Sequence, residues 1–131
     1  MIAYLDSSAL VKLVVVEPES DALRSALSSY EALVSSELSM VEVQRAVRRS
    51  LGPEAVSRVS AVFEPVALAR VDRPVLERAG TLGPAELRSL DAIHLATALE
   101  LAGRVHVVSW DERLLAAATA QGLPTVAPGV S

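Results

Sequence analysis

The chain contains no cysteine, and Lys12 is its only lysine. Without thiols there are no disulfides and no thiolate metal sites, which fits a reducing compartment such as the cytoplasm. Aromatic residues make up 3% of the 131 positions, too few for a platform that stacks several bases in a row. No apolar stretch approaches the roughly 18 to 20 uninterrupted residues of a membrane span, so no membrane partner is expected. The early Asp6 and the lack of a basic leader argue against a secretory signal, leaving a cytoplasmic location as the expectation. A net charge of −4 excludes a protein held on nucleic acid by bulk electrostatic attraction.

What is present is a chain 51% hydrophobic, long enough to bury a core as one domain over 1–131. Short apolar runs at 2–5, 32–35, 65–68, 105–108 and 124–126 alternate with helical patterns near 7–16, 19–29, 37–51, 53–63, 72–80, 89–102 and 111–121. That alternation predicts an α/β domain with a mainly parallel sheet. Pro18, Pro53 and Pro74 stand where helices could begin, and Gly52, Gly103 and Gly122 where they could end. Ser36, Glu37 and Ser39 supply capping chemistry for the third helix. The run Val11–Val16 is more apolar than one helix face requires. It is either a buried helix or a surface turned to a partner chain.

The acids carry the functional signal. Asp6 directly follows the apolar run 2–5, the position at a strand's carboxyl end where ligands collect in open parallel sheets. Asp91 lies in the apolar stretch 90–99, where an unpaired charge costs several kcal/mol. Asp111 follows strand 105–108 after Ser109 and Trp110, and Glu42 lies in the helix after strand 32–35. If neighbouring strands bring these ends together, the carboxylates share a cleft. Two of them about 4 Å apart repel by roughly 4 kcal/mol at an effective dielectric near 20. They must then protonate, separate or hold a cation. An all-oxygen site suits Mg²⁺, with Mn²⁺ as a substitute, and phosphodiester hydrolysis is the natural reaction of such a centre.

Each of these residues also has a plainer role open to it. Asp6 and Asp111 could cap the helices that follow them, and Glu112 would help the second. Glu42 could belong to a solvated stripe with Arg45 and Arg49, and Asp91 could pair with Arg88 one turn earlier. Ser8 could cap the first helix or hold a water on an ion. His94, one turn after Asp91, is either a satisfied structural histidine or a substrate contact, while His106 in a strand reads as structural. Trp110 could stack on a base. The bunched arginines Arg45, Arg48 and Arg49 suit phosphate, although genome composition also favours arginine over lysine.

Four segments together resemble the PIN-domain family, and within it the VapC-type toxins of bacterial toxin–antitoxin pairs. They are Tyr4-Leu5-Asp6-Ser7-Ser8-Ala9-Leu10-Val11-Lys12-Leu13; Ser39-Met40-Val41-Glu42-Val43 with Arg45-Ala46; Leu87-Arg88-Ser89-Leu90-Asp91-Ala92-Ile93-His94-Leu95-Ala96-Thr97-Ala98; and Val107-Val108-Ser109-Trp110-Asp111-Glu112-Arg113-Leu114. The third is the most specific, and the likeness spans nearly the whole chain. It implies a three-layer α/β/α sandwich and a Mg²⁺-dependent endoribonuclease, usually dimeric and inhibited by a cognate antitoxin protein. By the same resemblance Asp6 and Asp91 would be the principal metal ligands, completed by Glu42 and Asp111 directly or through water. Ser109 would orient the site from its edge and Ser8 would support it. Arg45, Arg49 and Arg88, with Arg48 and Arg113 nearby, would guide the RNA, and an apolar groove near 10–16 would take the antitoxin.

Two other enzyme classes place an acid after a first strand. A haloacid-dehalogenase-like phosphatase needs a second Asp two residues later, where this chain has Ser8, and a signalling receiver domain needs an acid pair and a late lysine that are both missing. A non-catalytic interaction module, with Glu42 and Asp91 as ordinary ion-pair members, stays open at this point.

Overall fold

Alternating side chains on the first strand divide the molecule into two cores. In the computed structural model, which describes residues 1–130, Ile2–Leu5 forms β1. Ala3 and Leu5 face one way and Tyr4 the other, as the period of two in a strand requires, and all three are fully buried. Such burial on both faces is the mark of a central parallel strand.

The remaining elements follow in the order expected from the alternation. Helix α1 spans Ser7–Val14 and α2 Ser20–Leu27; β2 is Ala32–Ser36 and α3 Ser39–Leu51. A 3₁₀ turn at Pro53–Arg58 leads into α4 at Val59–Phe63, then β3 at Val66–Ala69 and α5 at Arg73–Ala79. Helix α6 is Ser89–Glu100, β4 Val105–Val108, α7 Glu112–Ala120 and β5 Thr125–Val126. All five strands are parallel, in the order β3-β2-β1-β4-β5. One face carries α1 to α4 through Leu10, Leu23, Val43, Val47 and Val59, and the other carries α6 and α7 through Leu95, Ala98, Leu114 and Ala118. The result is a three-layer α/β/α sandwich. No helix among the described residues is long and apolar enough to cross a membrane.

Local chemistry explains where the elements stop, and where they depart from expectation. Gly52, Gly103 and Gly122 have φ of +91°, +102° and +85°, so each ends its segment in a conformation that side-chain-bearing residues avoid. The expected helix 53–63 is split, because Pro53 opens a tighter 3₁₀ turn before α4 begins. The capping of α3 also differs. Leu38 occupies the N-cap without a side-chain bond, and Ser36 Oγ accepts from its amide at 3.1 Å. Glu37 instead accepts from the Val71 amide at 2.8 Å, and Ser39 is buried against Ser35. Within 11–16, Val11, Leu13 and Val15 pack on the first core and Val14 is buried; only Val16, 86% exposed, is left at the surface. The buried-helix reading therefore holds for α1.

Chain reversal at β1 sets up the site. The connection from β1 moves to β2 on one side, whereas β4 pairs on the other. The carboxyl end of β1 thus lies at the point where strand order reverses, the place where open α/β sheets bind ligands. Because Leu95 is 1% exposed and anchors α6 to the sheet, Leu95→Ala is expected to cost about 2–5 kcal/mol, read as a lower midpoint in urea unfolding. A loss below about 1 kcal/mol would show that α6 does not depend on that contact.

Candidate active site

Asp6 takes the capping role that its position left open. It is the N-cap of α1, with Oδ1 accepting from the Ala9 amide at 3.0 Å and from Ser8 Oγ at 2.7 Å. Its Oδ2 accepts from Ser109 Oγ at 2.6 Å. Ser8 is therefore neither cap nor water ligand in this arrangement; its hydroxyl holds the acid that caps. Asp6 is 5% exposed. Burial raises its pKa, and the hydrogen bonds from Ser109 and Ser8, together with His94 nearby, offset part of that rise.

Ser109 links the first acid to the last. While donating to Asp6, its hydroxyl accepts from the Asp111 amide at 3.0 Å. Asp111 in turn caps α7, its Oδ1 taking the amides of Arg113 at 2.9 Å and Leu114 at 3.2 Å. Trp110 between them does not offer a free ring. Its Nε1 donates to the Pro128 carbonyl at 3.2 Å, and Lys12 Nζ sits 4.9 Å from its ring centre. Base stacking at Trp110 is thus not available without dismantling that packing.

Glu42 does not join an arginine stripe. In the first turn of α3 its Oε1 accepts from Ser7 Oγ and stands 2.7 Å from His94 Nε2. Burial alone would raise its pKa, but the bonds from His94 and Ser7 outweigh that and hold it below the ordinary carboxylate range. Arg45, Arg48 and Arg49 are exposed, and none of them forms an ion pair among the described residues. Arg49 lies seven residues on from Glu42, about 10 Å along the helix axis.

Asp91 is only partly buried, in contrast to the run Ala92 to Ala98 that suggested full burial, and no ion pair joins it to Arg88. Being in the first turn of α6, it points out of the core that the following residues enter. Its pKa is raised first by desolvation and then by repulsion from Asp111, Asp6 and Glu42, with His94 opposing. All four acids thus act electrostatically on one region at the strand ends. Arg88, Asp91, Asp111, Glu112 and Arg113 line an open cleft of about 270 Å³ there.

The hydroxyls of Ser7, Ser35 and Ser39, to which the motif reading gave no role at the site, complete the cluster together with His94. Ser7 touches Ser39 Oγ at 3.1 Å and His94 Nε2 at 3.3 Å, besides donating to Glu42. Ser39 reaches Ser35 Oγ at 2.8 Å, and Ser35 donates to the Leu5 carbonyl at 2.6 Å, tying α3 to the end of β1. His94 is buried and doubly bonded, as a structural histidine would be, yet one of its partners is Glu42. His106 is structural, 2.8 Å from the Tyr30 hydroxyl.

An ionised carboxylate offers about four lone-pair sites. Asp6 has three taken, leaving one on Oδ2; Glu42 has Oε1 filled and Oε2 open; Asp111 has Oδ1 filled and Oδ2 open; Asp91 accepts no hydrogen bond at all. Glu42 and Asp111 are pinned by one oxygen and present the other, whereas Asp6 is held through both. Such a hard-oxygen donor set fits Mg²⁺ or Mn²⁺. It is not a preformed cage: among the described residues no three such groups stand close enough to ligate one ion.

Residues 3–120 match the PIN domain family. The chain is 48% identical to Ribonuclease VapC46 of Mycobacterium tuberculosis over 134 aligned positions, covering 95% of this chain and 96% of that protein. It is 38% identical to Ribonuclease VapC47 of the same species, covering 96% of each. Among solved structures it superposes on M. tuberculosis VapC20, described as a sarcin–ricin loop cleaving toxin, with a TM-score of 0.77 at 17% identity, covering 96% of this chain and 99% of that one. A toxin–antitoxin complex from Klebsiella pneumoniae gives 0.71 at 21% identity, covering 96% and 97%.

A carboxyl with a pKa higher in the fold than in the unfolded chain favours folding below its unfolded value, and that contribution is lost as pH rises through the folded value. Asp91 has this sign. Asp91→Asn is therefore expected to melt at a higher temperature than the natural chain at pH 7 in chelator, with the gap closing towards pH 4. A gap that stays constant with pH, or a variant that melts lower at pH 7, would contradict the repulsion at the site.

Proposed function

The chain belongs to the PIN-domain family, and from that membership and its acidic cleft we propose that it is a metal-dependent endoribonuclease acting as the toxin of a toxin–antitoxin pair. The observation that carries the reading is Asp91: an unbonded carboxylate in the cleft beside Asp111, repelled by Asp111, Asp6 and Glu42. Like charges gathered without a neutralising partner are a standing site for a cation. Relatives described as ribonucleases along almost the entire length support the same chemistry.

Mg²⁺, or Mn²⁺ in its place, would be held by Asp6 and Asp91 with Glu42 and Asp111, and when bound would supply positive charge to an RNA phosphate and a more acidic water. The chain's own residues arrange that chemistry. Ser8, Ser109 and the Ala9 amide keep Asp6 oriented with one open site on Oδ2. Glu42 stays ionised through Ser7 and His94, so it can orient or accept a proton through Oε2. Arg88 and Arg113, exposed on the walls of the same cleft, are placed to receive phosphate oxygens. Arg45 and Arg49 lie farther along α3 and would meet RNA outside the cleft.

The partners follow from the same reading: an RNA substrate, an antitoxin protein and a second copy of the chain. The structural neighbour from Klebsiella pneumoniae described as a toxin–antitoxin complex supports the antitoxin. The phosphatase alternative falls with Ser8, whose hydroxyl is bound to Asp6 and can serve neither as a carboxylic acid nor as its substitute.

Asp6→Asn and Asp91→Asn are each expected to lower RNA cleavage in Mg²⁺ by about 10²- to 10⁴-fold while circular dichroism stays unchanged. Chelator should abolish cleavage by the natural chain. Near-natural activity in either variant, or in chelator, would remove the acids from the reaction. A folded chain that cleaves no RNA and binds no Mn²⁺ would favour the interaction module.

A further inference from the structure

The buried histidine of α6 does more at this site than help keep Glu42 ionised. His94 is 2% exposed, with Nε2 2.7 Å from Glu42 Oε1 and 3.3 Å from Ser7 Oγ, and Nδ1 2.7 Å from the Tyr4 hydroxyl. An ionised carboxylate oxygen can only accept, so the proton facing Glu42 belongs to Nε2. In the neutral ring Nδ1 is then bare, and the Tyr4 hydroxyl donates to it. Tyr4 is fully buried on the central strand, with its ring edge-on to the imidazole at 5.9 Å between centres. The orientation of the imidazole is therefore inherited from β1, the strand that also delivers Asp6.

We propose that His94 is a positioning residue for RNA cleavage: backed by Tyr4, it grips Glu42 through Oε1 and so keeps Oε2 free for the reacting phosphate and its ion. The inference rests on the nuclease reading of the cleft. A histidine serving only the fold would satisfy its ring on core groups. Here the core side, Tyr4, takes Nδ1, and Nε2 is given to the side chains of Glu42 and Ser7 at the cleft. Ser7 alone would leave Glu42 on a single flexible hydroxyl. A second donor from a ring locked at both ends removes that freedom, in the way outer partners orient metal-binding groups.

The test combines kinetics with a spectrum. His94→Leu removes the donor, His94→Gln keeps an N–H near the Nε2 position, and Tyr4→Phe keeps the ring volume but removes the hydroxyl that holds Nδ1 and fixes the ring from behind. Cleavage of RNA in saturating Mg²⁺ should show kcat about 10- to 100-fold lower in His94→Leu with KM for RNA unchanged. His94→Gln should recover most of that loss, and Tyr4→Phe should fall between. Imidazole nitrogen resonances need no cleavage and involve only two histidines. In the natural chain and in Tyr4→Phe alike they should place the His94 proton on Nε2, with the Nδ1 resonance shifted in Tyr4→Phe by loss of the hydroxyl's hydrogen bond. A folded His94→Leu with natural kcat, a His94→Gln no better than His94→Leu, or a proton found on Nδ1 in the natural chain would overturn the proposal. Should His94→Leu fail to fold, Tyr4→Phe and His94→Gln decide alone. A natural chain that cleaves no RNA would sink the nuclease reading, and the spectrum would still decide the placement of His94.

Discussion

A carboxylate buried to 5% exposure at the tip of the central strand has to be satisfied before anything else in this fold can be settled. Left bare, Asp6 would cost several kcal/mol. It is satisfied by three donors drawn from two places: Ser8 and the Ala9 amide in the first turn of α1, and Ser109 just past β4. The first pair fixes how α1 leaves the sheet. The third requires β4 to lie beside β1, which the parallel register from Ile2 and Val105 to Leu5 and Val108 provides. Ser109 then passes the constraint to α7 by accepting the Asp111 amide. One buried acid thereby organises the strand order at the switch point and the start of two helices.

The same region carries a deliberate imbalance. Asp6 and Asp91 bind protons more readily than free aspartates, through burial and, for Asp91, mutual repulsion, whereas Glu42 is held ionised by His94 and Ser7. A fold selected for stability alone would separate or pair these charges. Here Arg88 and Arg113 stand on the cleft walls without closing ion pairs on the acids. Unrelieved like charge in a cleft, with cationic groups at its rim, is the pattern of a site that waits for a cation and an anionic substrate.

Much of this was legible in the residues. Strand 105–108 is bounded by Gly103 and Ser109, and its limits are those of β4; six of the seven helical patterns correspond to single α-helices, shortened by a residue or two at their ends, and 53–63 is divided between a 3₁₀ turn and α4. The acids were legible because each follows a strand or interrupts an apolar run. What one sequence could not show is which neighbour a short polar side chain will face. Ser7 and Ser8 are adjacent and chemically alike, yet Ser8 turns back to Asp6 while Ser7 crosses to α3, a choice made by how α1 and α3 pack. His94 sits in a helix apolar on nearly every side, so no periodicity marks it as facing Glu42 across 52 positions. Asp91 looked buried because its successors are, but a first-turn residue lies at the helix mouth, outside the core that Leu95 enters. The expected Arg88–Asp91 and Glu42–Arg45 pairs were local by spacing and lost to tertiary placement.

The proposed chemistry depends on one requirement, that Asp6 and Asp91 act together on a divalent ion. Mn²⁺ binding, followed by electron paramagnetic resonance at neutral pH on the purified chain, measures this without RNA. The natural chain should bind Mn²⁺, and Asp6→Asn and Asp91→Asn should each weaken it by more than about tenfold. Equal affinity in all three proteins, or no binding by the natural chain, would contradict the shared ion.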